Sequence, residues 1–75
     1  MKYMSGEEVK VGDKVKLGLD ENGLVVCSID SGEYIEEFSE AQWGYLKKGV
    51  MINFPMWGLI HYVEPEEDLV LISRQ

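Results

Sequence analysis

The chain has 75 residues, about half of a typical ~150-residue domain. That leaves room for one domain spanning residues 1–75 without a linker, and none for separate catalytic and substrate lobes. Its 14 acidic against 7 basic side chains give a net charge of −7 at pH 7. Direct binding of nucleic acid, which rests on Lys and Arg neutralising phosphates, is therefore not expected, and a partner with a basic surface is. With 45% hydrophobic and 11% aromatic residues, the composition is too apolar for a disordered chain.

The single cysteine, Cys27, has no partner for an internal disulfide, so the domain must be held by core packing or by another protein. That fits a reducing, cytoplasmic setting. Met1 to Glu8 contains no apolar signal-peptide core, and no stretch approaches the ~18 apolar residues of a membrane span. The expectation is a protein neither secreted by this route nor embedded in a membrane, and a monomer or weak dimer.

Short apolar runs separated by Gly, Asp, Asn and Pro at intervals of about ten residues predict a small antiparallel β structure. Val9–Leu17 alternates apolar with charged residues, giving a first strand with one wet face and a bend at Gly12-Asp13. Asn22-Gly23 suits a tight turn, so Leu19–Gly23 is read as closing a hairpin onto the strand Leu24–Ile29. That second strand is apolar on both faces apart from Ser28, which predicts a central position covered from both sides and a packed Cys27.

Asp30-Ser31-Gly32 reads as a turn, and the three glutamates of Glu33–Phe38 make that segment an edge or a solvated extension. A helix is predicted over Glu40–Lys48. Ser39 and Gln42 have capping-box spacing, Phe38 and Trp43 that of a hydrophobic staple, and Gly49 stands where a left-handed cap belongs. Glu40 in the first turn and Lys47-Lys48 in the last complement its dipole. Interior Gly44 costs ~1 kcal/mol of propensity, recoverable if the missing side chain lets another element approach closely.

Val50–Phe54 and Leu59–Val63 read as a hairpin joined through Pro55–Gly58, and Glu64–Asp68 breaks the chain. Leu69–Ile72 is fully apolar and is expected to close the sheet between covered faces before Ser73–Gln75 frays. The fold class is thus mainly β with some α+β content: a small, five-stranded antiparallel SH3-like barrel with one short inserted helix.

Most catalytic chemistries find no residues here. One His, one Cys and no C-x-x-C exclude structural zinc, and no metal or cofactor is expected. Cys27 with His61 would make a nucleophile and base only if the thiol escaped its apolar strand, where burial raises its pKa. His61, between Ile60 and Tyr62, reads as half-buried and able to act as a pH-sensitive contact. Glu36 with Glu37, and Glu66 with Glu67, are adjacent residues that point to opposite faces of a strand and do not converge as an acid–base pair. No phosphate-binding glycine loop occurs.

What remains is surface. Asp30, Glu33, Glu36, Glu37 and Glu40 crowd around the second turn and the helix start with Tyr34 among them, a pattern that either steers a basic partner or merely keeps the protein soluble. Trp57, beside Met56 at a hairpin tip, is either folded over the barrel or exposed as a binding anchor. Trp43 reads as a packing residue.

In their order along the chain, Val9–Val15, Gly23–Val26, Gln42–Leu46, Gly49–Ile52, Gly58–Tyr62 and Asp68–Ile72 resemble segments of small immunity proteins that accompany bacterial polymorphic or secreted toxins. The resemblance covers nearly the whole chain, through segments that are mostly structural. The Gly-Asp-x-Val and Gly-x-Val-Val elements are also similar to the opening hairpin of KOW and other SH3-like barrels, many of which bind RNA or ribosomes, but the basic surface those modules use is missing here. The immunity resemblance implies a cytoplasmic inhibitor that forms a stoichiometric complex with one cognate toxin and catalyses nothing. Charge and exposure, rather than any family motif, single out Asp30, Glu33, Tyr34, Glu36, Glu37 and Trp57 as its contacts. Two other readings stand beside it. One is an SH3-like adaptor for a peptide or a ribonucleoprotein-associated protein; the other is a small enzyme using Cys27, His61 and carboxylates.

Overall fold

In a computed structural model of the chain, which describes residues 1–64 and 66–74, the alternating segment before Gly18 becomes a strand only from Lys14. Gly12 takes φ 93°, and the Asp13 N–H donates to the Lys10 carbonyl at 3.1 Å. This turn cuts the expected strand Val9–Leu17 down to β1, Lys14–Leu17. The hairpin to β2, Asp20–Ser28, turns through Gly18-Leu19, with Leu17 opposite Asp20. Gly18, at φ 60°, supplies the positive angle that the sequence reading assigned to Asn22-Gly23. Gly23 is instead buried within β2, and a Cβ there would run into the Phe54 ring and lie 2.8 Å from Val15 Cγ2. What the position requires is therefore missing bulk rather than turn geometry.

After β2, the two-residue strand β3, Glu33–Tyr34, pairs with Cys27 and Ser28. The predicted helix Glu40–Lys48 is shorter: α1 covers Glu40–Trp43 and continues as a 3₁₀ turn over Gly44–Leu46. Its start is as expected, with Gln42 Oε1 accepting the Ser39 N–H at 3.4 Å. Its end comes early because Lys47 adopts the left-handed conformation, φ 69°. Lys47 and Lys48 therefore lie beyond the last turn. Gly49, at φ 94°, is pressed against the Tyr62 carbonyl and His61 Nε2, where no Cβ fits.

β4, Val50–Phe54, and β5, Gly58–Tyr62, form the expected hairpin, and β6, Leu69–Ser73, ends the chain. The sequence reading's break at Glu64–Asp68 includes Pro65, which lies outside the described residues, as does Gln75. Ser73 does not fray but pairs with Lys14, and Arg74 is held by Asp13 and the Glu8 carbonyl.

All six strands belong to one antiparallel sheet with the order β5-β4-β2-β1-β6 and β3 added beside β2. The fold is mainly β with one short inserted helix, as the strand pattern predicts for a small SH3-like barrel, with six strands rather than five because the glutamate-rich segment contributes β3. The sheet remains open at β5 and β6, yet it curls enough for both outer strands to reach one core. Ile60 and Tyr62 from β5, Leu69 and Leu71 from β6, and Val15, Val25, Val50, Ile52 and Phe54 meet there, joined by Tyr3 and Val9. The expectation that β6 lies between covered faces fails: Val70 and Ile72 are 49% and 45% exposed.

On the other face of β2 and β4 a second core forms around Val26, Cys27, Ile29 and Met51. A bulge at Val26, between the pairs Val25↔Ile52 and Cys27↔Met51, sends Val25 to the first core and both Val26 and Cys27 to the second. β2 is thus covered on both faces over this stretch, as its apolar sequence predicts.

Candidate functional site

The connection from β2 to β4 carries most of the residues singled out by charge. Tyr34, Ile35 and Phe38 turn down onto the second core with Trp43 and Leu46, while Glu33, Glu36, Glu37 and Glu40 stay exposed. The excursion is pinned as well as packed. β3 pairs with β2, the Ile35 N–H donates to the Val26 carbonyl at 3.2 Å, and a single bridge joins Ile35 to Phe38. Ser31 Oγ donates to Glu33 Oε1 at 3.0 Å and lies 2.7 Å from Ser28 Oγ. Carboxylates on a held backbone give a directed negative field rather than a diffuse one.

Aromatic surface borders these acids. Trp43 and Tyr45 stack at 6.4 Å between ring centroids with 28° between planes, and Tyr45 is exposed. The indole N–H of Trp43 is buried and meets no acceptor among the described residues. The Tyr34 phenol is pushed above its ordinary range by desolvation and then by the Glu40 carboxylate.

Asp30 has a structural task instead. Its Oδ1 accepts the Gly49 N–H at 2.9 Å and its Oδ2 meets the Met1 ammonium at 2.8 Å, tying together the two ends of the β2–β4 connection and the chain start. The ammonium hydrogen bond first, and the Gly49 N–H next, hold its carboxyl below the usual range. Asp20 ties down a loop at the opposite end: buried, it accepts the Asn22 N–H at 3.0 Å and the Met56 N–H at 2.9 Å. This fixes the loop that carries Trp57, which is 56% exposed rather than folded over the barrel. β4 starts opposite Ser28, next to β3, and ends at Phe54, where the Trp57 loop begins. At ~3.3 Å per residue, the length of β4 separates Trp57 from the glutamates by more than 10 Å. The structure therefore gathers Glu33, Tyr34, Glu36 and Glu37 on one segment, gives Asp30 to the framework beneath them, and places Trp57 at the far end.

A third aspartate escaped the sequence reading as a functional group of the fold. Asp13, fully buried, accepts from the Tyr3 hydroxyl at 2.7 Å and the Lys10 N–H at 2.9 Å and pairs with Arg74 Nε at 3.3 Å. Burial, then this hydrogen bond, pushes the Tyr3 phenol well above its ordinary range. The signal present in the sequence was the Gly12-Asp13 turn, whose aspartate caps its own backbone.

Cys27 and His61 face the same side of the sheet with Met51 between them in the ladder, since Met51 pairs with both. Two strand spacings put them roughly 10 Å apart. Cys27 Sγ donates to the Phe38 carbonyl at 3.1 Å, burial raises its pKa, and His61 Nε2 donates to the Lys48 carbonyl at 2.8 Å. They do not form a nucleophile–base pair. Among the described residues no group of three His, Cys, Asp or Glu is placed to hold a metal ion, and no helix is long and apolar enough to cross a membrane.

Comparison with protein-family models, with curated proteins and with solved structures found no match to this chain.

Proposed function

We propose that the protein is a non-catalytic binding module of the immunity type, which neutralises a cognate bacterial toxin by laying its acidic β2–β4 connection on a basic surface of that toxin. The observation that carries this reading is the division of labour within Glu33–Leu46. Every apolar side chain of the segment except the stacked Tyr45 and the small Ala41 is turned to the second core, and every carboxylate is left in solvent. Solubility alone asks for charge anywhere on the surface. Four carboxylates on one held segment beside exposed Tyr45 supply both steering and an aromatic contact. The contacts are Glu33, Glu36 and Glu37 together with the part of Tyr34 that its packing on the second core leaves exposed, with Trp57 a separate anchor for a partner large enough to span the length of β4. The setting is the cytoplasm of the cell that makes the toxin.

The test is co-expression with the product of the adjacent gene, scoring growth with and without this chain and then looking for a stable 1:1 complex. Growth arrest relieved only by this protein, together with a co-purifying complex, supports the reading. A toxic neighbour that this chain neither binds nor restrains sinks it for that pair. The curled antiparallel sheet favours one second reading, an SH3-like adaptor for peptides or ribonucleoprotein-associated proteins. Recovery of many unrelated chains with micromolar, salt-sensitive affinity would select it.

A further inference from the structure

β6 is an outer strand: among the described residues it pairs with β1 and with no strand on its other side. Beside that free edge runs a cleft of about 190 Å³, walled by Tyr3, Met4, Ser5 and Glu7 opposite Glu67 and Leu69–Leu71. Leu69, Val70 and Leu71 point alternately to the two faces of the sheet, so a cleft touching all three runs along the strand edge itself.

The opposing wall is built to stay where it is without using that edge. The Tyr3 N–H donates to the Glu7 carbonyl and the Gly6 N–H to the Tyr3 carbonyl, both at 2.9 Å, closing residues 3–7 into a turn. Tyr3 is anchored below by its hydroxyl on Asp13. Among the described residues, the backbone hydrogen bonds of this turn go to the turn itself and none goes to β6. The floor is apolar, with Leu69 and Leu71 below and Met4 and Val70 exposed at the sides. Both ionisable groups on the rim, Glu7 and Glu67, are exposed carboxylates.

From this juxtaposition we infer that the β6 edge is a second binding site, which takes an extended peptide as an added strand, seats one aliphatic or aromatic side chain in the cleft, and prefers Lys or Arg on either side of it. An unpaired strand edge offers main-chain hydrogen bonds to any extended chain, and the pocket beside it sets which side chain is accepted. The cleft is open to solvent, and its volume of about 190 Å³ matches a single large apolar side chain rather than several. The two rim carboxylates choose cationic neighbours. This site lies on β6 and the N-terminal turn and does not depend on the role assigned to Glu33–Leu46.

The experiment selects a random heptapeptide display library on the intact protein and maps the enriched peptides by amide chemical shifts. The expected result is enrichment of an apolar residue flanked by Lys or Arg, with shifts confined to Tyr3–Glu7 and Leu69–Leu71 and slower amide exchange along β6. The variant Glu7→Lys/Glu67→Lys alters exposed side chains only and should weaken those peptides at least tenfold with an unchanged amide spectrum elsewhere. No enrichment, enriched peptides that shift Glu33–Leu46 instead, or peptides bound equally well by the Lys variant would each overturn the proposal. So would β6 shifts that depend on protein concentration without peptide, because the occupant would then be a second copy of this chain.

Discussion

Beneath β2 and β4, the side chains of Val25, Val50, Ile52 and Phe54 are sealed by residues from β1, β5 and β6 together with Tyr3 and Val9, and almost none of their surface reaches water. Above the same two strands, Val26, Cys27 and Met51 are sealed by Leu59 of β5 and by one excursion of chain whose own apolar residues, Tyr34, Ile35, Phe38, Trp43 and Leu46, are only half-buried. The lower core joins elements distant in sequence and is the cooperative body of the protein. The upper one is a lid held mainly by its own landward face. A segment with less burial opens at lower free energy, and segments that engage partners are commonly drawn from that end. The acidic surface thus sits on the part of the molecule that can change most without undoing the sheet.

The sharpest way to separate the two regions is to cut each at its largest residue. Phe54→Ala removes a fully buried ring that fills the space left by Gly23 and should cost about 3–5 kcal/mol. Against a total stability of roughly 4–11 kcal/mol for a chain of this length, urea titration should show at least about a quarter of the folding free energy gone. Trp43→Ala removes a half-buried indole whose N–H meets no acceptor among the described residues and should cost about 2 kcal/mol. Its signature is local: amide exchange should accelerate in residues 33–48 while β1, β2 and β4 stay protected. If Trp43→Ala instead destabilises the whole chain globally, as Phe54→Ala is expected to, the lid and the body are one unit and the distinction collapses.

Between the two regions stands Asp30, which joins the lid's last glycine to the chain start. Its folded pKa lies below the unfolded value, which is near 3.9. It therefore contributes stability that is fully present above that unfolded value and is lost as pH falls through the lower folded value. Asp30→Asn should lower the melting temperature modestly at pH 7, since the carboxylate is more than a third exposed and screened. The gap between variant and parent should shrink as pH is taken from about 5 to about 2. A constant gap over that range would mean that Asp30 acts through shape rather than charge.

In both regions the local signals were legible in the sequence and the long-range ones were not, for a physical reason. β4 and β5 read correctly because two apolar runs flanking the Pro55–Gly58 turn are a local signal, and Ser39 with Gln42 marked the helix start by spacing alone. The errors came where a distant group overrode a local preference. Asn22-Gly23 has turn chemistry, but the Phe54 ring needs Gly23 inside a strand. Val70 and Ile72 look like core residues, yet nothing crosses their face among the described elements. Asp13 and Asp20 read only as turn residues and Asp30 as a surface acid, and each ties down a loop through partners that sequence does not show as neighbours: Tyr3 and Arg74, Met56, and Gly49. Of the candidate contacts, Glu33, Tyr34, Glu36 and Glu37 could be placed together by their nearness in the chain. The separation of Trp57 from them follows only from the register of β4.

That register leaves the glutamates with the smallest expected effect on folding and the largest on association. Glu33→Lys/Glu36→Lys/Glu37→Lys moves the net charge from −7 to −1, each reversal adding two. Because all three side chains are exposed, each change should shift stability by no more than about 0.5 kcal/mol. The contribution from eased self-repulsion runs in the favourable direction. Against a basic partner the on-rate should fall at least tenfold at low salt, and the deficit should close as salt rises and screens the field. The matched control is Glu21→Lys/Glu64→Lys/Glu66→Lys, which makes the same net-charge change at exposed sites outside the lid. If both triple variants slow association equally, net charge alone guides the partner and the lid has no special standing. If only the lid variant does so, the position of those carboxylates above the second core is what the partner reads.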